Sequence, residues 1–441
     1  MQRLFASLCI FIGFTAPILA ADIQIPPGEA KQESADKRWE AVIATDLRYF
    51  SYRSTFGYPP LNAAAAANSR VRGKAWQLYA PLGLQVVGLP SDDAKVEFLI
   101  RGGYVSSKQS TPFFEGSYSG LTDTIVSGTI TYLPIAGIQP FVSLNLNVPT
   151  GETVLSGNSA RARLDPDFVD IPTFGEGWNI GPTLGANIPI TEDILFSASI
   201  GYTNRGSYSY ESPTQLGVNP STNVAPLTSD FDPGDNVTLS SSLTYRAGSL
   251  SGQLTSSYSF ETTMRTDGLP SLQVGDRFLL SGTLGYEWTE AWSTTVSAAW
   301  SHTQANKVVG PQFGQPLPTL LREAFNSNSN AYRVGFDATY RATPALSFGP
   351  TLSILYRDEN AYLPYTGQFV PAKTRWSAGG SLNYTINDSL SVGARIEHIW
   401  AQQRARPEPD LELDPTAAAG IGLPRQSAQG WSISTSLLGR F

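Results

Sequence analysis

The 441-residue chain has very few of the residues on which metal and nucleophile chemistry depends. It contains one cysteine, two histidines and two methionines. Cys9 lies in a segment that we expect to be removed on export, which excludes disulfides, thiolate catalysis and cysteine-based metal sites. His302 and His398 are the only histidines, so the commonest general base is almost lacking. We therefore predict no metal, no cofactor and no catalytic residue.

Charge is also scarce. Asp, Glu, Lys and Arg make up 15% of the chain, whereas about a quarter is usual. The 30 basic and 37 acidic residues give a net charge of −7, and no basic stripe is visible, which argues against nucleic acid as a partner. Aromatic residues reach 11%, and 40 glycines and 31 prolines punctuate the chain. This composition fits an exported β-barrel better than a soluble enzyme.

Long apolar runs are absent outside the N-terminal segment. Residues 1–21 contain Arg3, then an apolar run, and end on small residues, which predicts a secretory signal peptide cut after Ala20 or Ala21. We expect a short periplasmic leader over 22–38 and a transmembrane barrel over 39–441. No later run approaches the roughly 18 apolar residues of a spanning helix. A membrane protein without such helices must satisfy its backbone in a closed barrel.

Strand-like segments recur along the whole chain, joined alternately by one short and one long connection. The predicted strands are 39–53, 70–88, 94–107, 122–134, 139–148, 177–188, 194–207, 235–247, 250–263, 277–288, 292–304, 331–341, 346–357, 374–386, 390–402 and 429–441. Short periplasmic turns and long extracellular loops require this alternation, whereas a soluble sandwich or propeller does not. We predict an all-β fold, a transmembrane antiparallel up-and-down barrel of about 16 strands, with 14 to 18 left open.

The segment from Gln429 to Phe441 alternates between an apolar and a polar face. Trp431 and Ile433 share one face with Phe441, while three serines and Arg440 occupy the other, with Leu438 as its one apolar residue. This pattern resembles the closing strand of Gram-negative outer-membrane β-barrels, except that Gly439 stands where a bulkier residue is common. The resemblance implies an outer-membrane location, contact with outer-membrane lipid and insertion by the barrel-assembly machinery.

Residues 142–205 carry a second resemblance. A strand runs into P-T-G-E at 149–152, followed by a loop rich in Gly and Asp and by a strand that begins G-W-N-I-G-P at 177–182. This arrangement is similar to the outer-membrane proteins of the meta-pathway of phenol degradation. Those proteins are presumed channels for aromatic or other small organic solutes, so the resemblance implies transport.

The inward faces of the predicted strands are polar, which implies a water-filled lumen. The inward charged residues between 331 and 402 are Arg333, Arg341, Arg357, Arg375, Arg395, Asp337 and Glu397. Arginine rings select anions in pores, and we predict that these residues line the channel. The alternative is that the arginines pair with inward acids and only keep the wall hydrated.

The long connection 149–176 is the candidate constriction loop. Its acids are Asp165, Asp167, Asp170 and Glu176, and it ends in P-T-F-G-E-G at 172–177. In general porins, whose loop motif this stretch resembles, the third loop folds into the channel and places acids opposite a basic wall. The alternative is an acidic surface loop.

These observations predict a passive outer-membrane channel for small solutes, with aromatic and anionic solutes as candidates and the solute itself left open. The rival function is an export or receptor barrel, such as an exopolysaccharide exit port. The leader 22–38 is too small for a plug or a periplasmic repeat domain, which disfavours that rival. A lipid-active enzyme would have to pair His302 or His398 with Ser301 or Ser432, but interfacial girdle positions explain both histidines. Association into homo-oligomers stays open.

Overall fold

The computed structural model describes residues 39–54, 73–111, 115–133, 137–155, 157–169, 171–211, 228–309, 319–323, 327–362, 369–405 and 425–441. The predicted signal peptide, leader and Asp170 lie outside these residues. Within them the chain forms 23 β-strands and one short 3-10 helix, η1 (Ala160–Ala162). No helix in the described ranges is long and apolar enough to cross a membrane.

Sixteen strands form one closed antiparallel barrel. They are β1 (Trp39–Ser54), β2 (Gly73–Ser91), β3 (Ala94–Ser110), β5 (Thr124–Tyr132), β6 (Gln139–Val148), β7 (Asn179–Pro189), β8 (Ile194–Arg205), β11 (Asn236–Ala247), β12 (Leu250–Glu261), β15 (Arg277–Glu287), β16 (Trp292–Thr303), β19 (Ser329–Arg341), β20 (Leu346–Arg357), β21 (Lys373–Asn387), β22 (Leu390–Gln403) and β23 (Gln426–Arg440). Each pairs with its neighbour along this series, and β1 pairs with β23 to close the wall. The predicted fold class and strand number are confirmed.

The other seven strands lie towards the long-connection end. β4 (Glu115–Leu121) pairs with the last part of β3. β9 (Tyr208–Glu211), β10 (Thr228–Asp232), β13 (Met264–Thr266), β14 (Leu269–Gln273), β17 (Lys307–Val309) and β18 (Leu320–Arg322) form a separate six-stranded sheet. Because these six strands directly follow or precede barrel strands, they extend one side of the wall beyond the rim.

One face of every barrel strand is apolar and exposed, as a lipid-facing surface requires. Leu82, Ile130 and Leu184 are 57–60% exposed in mid-strand. Tryptophans cluster near the strand ends, among them Trp178 and Trp288 at 60% and 64% exposure, where amphipathic rings suit the membrane interface. An even strand number, short turns at one end and an apolar band between aromatic girdles characterise bacterial outer-membrane barrels. The protein is an outer-membrane barrel of this kind.

Both ends of the described barrel lie at the short-turn end. The backbone N–H groups of Ala41 and Phe441 each donate to the other residue's carbonyl, at 3.1 and 2.9 Å. The β11–β12 turn at the same end uses Gly248 with φ +54°, a left-handed conformation that glycine adopts readily. The strand edges are therefore paired at the seam, as a barrel in lipid demands.

The two faces of β12 give a direct test of orientation. Leu254 faces lipid and is 50% exposed, while the next residue, Thr255, faces the lumen. We expect Leu254→Arg to lower the free energy of unfolding by about 2–4 kcal/mol, the cost of a lipid-facing arginine near the bilayer midplane. Thr255→Arg, the matched control, should lower it much less. The measurement is reversible denaturant unfolding in lipid, and equal losses in both variants would contradict the assigned faces.

Candidate functional site

The connection between β6 and β7, residues 149–178, folds against the inner wall of the barrel; we call it the inner loop. Its first apolar anchor is a buried cluster made with inward residues of β1, β2, β22 and β23. The Phe168 ring stacks on Tyr52 with centroids 5.0 Å apart, and it lies 6.1 Å from Phe50. The cluster comprises Phe50, Tyr52, Ala75, Leu164, Phe168, Val169, Ile399, Ala401 and Ala428.

A second apolar anchor fixes the inner loop to β3 and β4. Phe174 stacks on Tyr118 with centroids 4.1 Å apart, and Leu155 and Phe174 are 1% and 2% exposed. Gly116 faces the backbone of Arg161 so closely that a side chain there would overlap it. Full burial of a Leu or Phe side chain contributes roughly 1.5–3 kcal/mol, so the two anchors together hold the loop firmly.

Charged groups bind the inner loop to the barrel between these anchors. The Asp167 carboxylate is fully buried and lies 2.6 Å from Arg357 Nη2 and 2.8 Å from Lys373 Nζ. Lys373 also lies 2.5 Å from Asp165. Burial alone would raise the pKa of Asp167, but attraction by Lys373, Arg357 and Arg333 outweighs it and lowers the pKa below its usual value. Asp167 is therefore charged at neutral pH.

Wall side chains also satisfy the buried backbone of the inner loop. Gln77 Nε2 donates to the Ile171 carbonyl at 2.8 Å, and the Ile171 N–H donates to Gln77 Oε1 at 3.2 Å. Ser107 Oγ donates to the Ala162 carbonyl at 2.7 Å. Unsatisfied buried backbone groups cost about 1–3 kcal/mol each, so these bonds make burial of an irregular loop possible.

Asp123 joins the two ends of the inner loop. It lies in the break between β4 and β5, and its carboxylate accepts the N–H groups of Gly151 at 2.9 Å and Glu176 at 2.8 Å. The same carboxylate accepts Asn147 Nδ2 at 2.7 Å, and Asn147 also donates to the Gly177 carbonyl at 2.6 Å. One carboxylate thus fixes the points at which the chain enters and leaves the lumen.

Glu176 lies at the end of the inner loop, beside Asp123. It does not lie beside the arginines that the sequence analysis predicted it to face. Burial, then repulsion by Asp123 and Glu261, raises its pKa to about 7, and Arg205 opposes the shift. Arg205 itself is bound by Glu261 at 2.8 Å. Glu176 lies apart from the other loop acids because Phe174 is anchored to Tyr118. The residues that follow Phe174 therefore lie at the rim near β7 and β8.

The seven inward charged residues of β19–β22 fall into two groups and one outlier. Arg333, Arg357 and Arg375 surround Asp167, and Arg375 Nη1 donates to its carbonyl at 2.6 Å. Arg395 lies 3.0 Å from Asp337 and 2.8 Å from Glu397. Arg341 ends β19 at the short-turn end. Asp165 and Asp167 therefore contact the basic wall directly, whereas the sequence suggested that the loop acids face it across the opening.

The two histidines lie on the lipid-facing side. His398 packs between Trp400 and Trp431, with centroids 4.3 and 4.7 Å away. His302 Nδ1 lies 2.9 Å from Asn330 Oδ1. Ser301 pairs in register with inward Leu279, and Ser432 pairs with Glu397, so both serines point into the lumen. Each histidine and the serine weighed as its partner are therefore on opposite faces of the wall.

Several residues of this site escaped the sequence analysis. Lys373 lies one residue before the predicted strand 374–386, and Asp123 lies within the predicted strand 122–134, but no local pattern indicates the contacts of either residue. The apolar residues of the inner loop carry the one signal that was available. Leu155, Leu164, Phe168 and Phe174 in a loop otherwise rich in Asp and Gly indicate that it packs against something.

No family model matches the chain, and no curated protein matches it. Three solved structures illustrate the structural similarity. A bacterial polysaccharide outer membrane secretin aligns with TM-score 0.41 at 11% identity, covering 92% of this chain and 100% of its own. A Pseudomonas aeruginosa FadL homologue gives 0.39 at 9%, covering 91% and 90%. An anion-selective porin from Comamonas acidovorans gives 0.37 at 10%, covering 91% and 98%. Similarity this low does not bear on function.

The raised pKa of Glu176 predicts that docking of the inner loop depends on pH. A carboxyl whose pKa is higher in the docked state binds more protons there, so docking weakens as pH rises from about 4.5 to about 7 and then levels off. We expect single-channel conductance to be lower and steadier at pH 5 than at pH 8. Glu176→Gln should make the conductance independent of pH over this range and keep it at the low, steady level that the wild type shows at pH 5.

Glu152→Gln, elsewhere in the same loop, is the matched control and should keep the wild-type pH dependence. A Glu176→Gln channel that still changes between pH 5 and pH 8 as the wild type does would contradict the assignment.

Proposed function

We propose that the protein is a passive outer-membrane channel for small solutes, which cross through a water-filled barrel narrowed by the inner loop. The observation that carries this proposal is the one-sided position of the loop. Its apolar anchors lie on β1–β4, β22 and β23, and its ion pairs lie on β20 and β21, so it occupies one side of the lumen. Sixteen strands enclose more space than side chains alone fill, and the remaining side is lined by polar residues.

An excess of positive charge at the outer end supports a preference for anions. Four cationic side chains, Arg333, Arg357, Lys373 and Arg375, surround two carboxylates, Asp165 and Asp167. Among the described residues of this cluster, cationic side chains therefore outnumber carboxylates by four to two. Fixed positive potential at a pore entrance raises the local concentration of anions and repels cations.

Planar-bilayer recording of the refolded protein tests the channel directly. We expect stepwise, voltage-tolerant conductance in KCl and, in a salt gradient, a reversal potential that favours chloride. A protein that inserts, as judged by protease protection of the barrel, but conducts no current would contradict the proposal and favour the rival receptor or export barrel.

The basic wall has its own prediction. Replacing Arg333, Arg357 and Arg375 by Gln should shift the reversal potential towards cation preference, more at low salt than at high salt because screening shortens the reach of the charges. The matched Arg→Lys variant keeps the charge but not the planar guanidinium geometry. This variant should keep the wild-type reversal potential, although the inner loop should be held less tightly because the guanidinium contacts are lost. An unchanged reversal potential in the Gln variant would show that these arginines serve only the loop.

A further inference from the structure

The wall opposite the inner loop has an unusual chemistry. Around the barrel, β11 and β12 lie diametrically across from the β1–β23 seam, and β15 and β16 follow them. Every second residue of β11 from Thr238 to Thr244 is Ser or Thr and faces inward. The same holds for β12 from Ser251 to Ser259, with Gln253 as the one amide. We call the inward faces of β11, β12, β15 and β16 the hydroxyl wall.

The exposed, lipid-facing residues of these strands show which residues face the lumen. Leu239, Leu254, Leu284 and Val296 are 44–53% exposed, so the residues that alternate with them face the lumen. On β16 the inward residues from Ser293 to Thr303 are all Ser or Thr except Ala299. No inward residue between the rims of these four strands is charged. On β15 the inward residues between the rims are Leu279, Ser281, Thr283 and Gly285. The hydroxyl wall therefore carries dense hydrogen-bonding capacity, no charged side chain between its rims and one large apolar side chain, Leu279.

Cross-strand register places the hydroxyls at regular distances. Thr244 pairs with Gln253, Gln253 with Thr283, and Thr283 with Ser297, which makes one continuous row across the wall. Directly opposite side chains in a sheet are about 4.5–5.5 Å apart, so two neighbours on a row can bind two hydroxyl groups of one solute. Each hydroxyl both donates and accepts, which suits a polyol in many orientations along the passage.

The outer rim of the hydroxyl wall carries a partly exposed guanidinium group. Arg205 and Arg277 share a single carboxylate, Glu261, at 2.8 and 3.8 Å. Arg277, at the outer end of β15, keeps a side chain that is 33% exposed. Glu176 also lies close to Arg205 and Glu261, so the two carboxyl groups offset much of this charge, and Arg277 is the cation of this group that a solute can reach. An anionic group can pair with the Arg277 guanidinium here, as with the basic cluster across the opening.

We propose that the channel favours small polyhydroxylated anions, whose anionic group is drawn in by Arg277 and the basic cluster and whose hydroxyl groups then exchange water for the hydroxyl wall. This inference rests on the proposed channel function and names its solute class. An apolar solute has only Leu279 as a large apolar partner on the hydroxyl wall, and the basic cluster repels a cation. Sugar acids have the required chemistry.

Two six-carbon dianions provide a matched test, because glucarate and adipate differ only in four hydroxyl groups. Their permeabilities relative to chloride follow from reversal potentials under bi-ionic conditions with the full-length protein in planar bilayers. We expect glucarate to be several-fold more permeant than adipate, although it is the bulkier ion. A glucarate permeability equal to or below that of adipate would overturn the inference.

Two variants then separate the contributions. Thr244→Val together with Thr283→Val and Ser297→Ala removes one row of hydroxyls and should bring the two permeabilities close to equality. Ser434→Ala with Ser436→Ala, inward positions of β23 beside the loop, is the control and should keep the preference. Arg277→Gln should lower the permeability of both dianions relative to that of glucose, which is measured by liposome swelling. It should leave the ratio of the glucarate and adipate permeabilities unchanged.

The outcomes distinguish this inference from the channel proposal. Absence of KCl conductance in the inserted wild type would remove the channel itself. Normal KCl conductance without a preference for glucarate would leave the channel and remove only the solute class. If the triple variant fails to fold, the glucarate and adipate permeabilities of the wild type still decide the matter, since that comparison alters no residue.

Discussion

The need to hydrogen-bond every backbone amide in lipid is the constraint from which the rest of this structure follows. Hydrocarbon offers no partner for an unpaired N–H or C=O group, so the strands must pair edge to edge and β1 must meet β23. Closure then fixes the orientation of each residue, because successive side chains of a strand point to opposite sides of the wall. Leucine and valine cover the outside, while serine, threonine and arginine are enclosed with water.

The same constraint explains why the inner loop needs so many specific contacts. A loop of irregular backbone inside a barrel loses water on one side and must find new partners. Gln77 and Ser107 supply hydrogen bonds to its backbone, and Asp123 binds both of its ends. Lys373 and Arg357 compensate the buried charge of Asp167; removal of one partner from such a group is strongly destabilising. A few polar residues therefore determine the position of the inner loop and the shape of the passage beside it.

Local sequence patterns predicted the barrel well because period-two alternation and turn composition are local properties. The predicted and observed bounds of 139–148 and 346–357 coincide, and the inward phase of Arg333, Arg357 and Arg375 follows from the same alternation. The contacts of the inner loop could not be predicted in this way. Asp167 meets Arg357 across 190 residues of sequence and Lys373 across 206. The prediction that Glu176 lies with the other loop acids has the same origin. No feature of the local sequence distinguishes the environment of Glu176 from theirs.

Docking of the inner loop on the inside of β1 is the central claim, and disulfide trapping in the membrane tests it most directly. Tyr52 and Phe168, whose rings are 5.0 Å apart, would both be replaced by cysteine. Ser241 and Ser256, paired across β11 and β12 with Oγ atoms 2.9 Å apart, provide a control pair in the barrel wall. The account predicts that a short bis-thiosulfonate reagent, which bridges two thiols through reducible disulfides, cross-links both pairs and that single-channel conductance is the same before and after reduction. Cross-linking of the wall pair alone, or a large rise in conductance on reducing the loop pair, would contradict it.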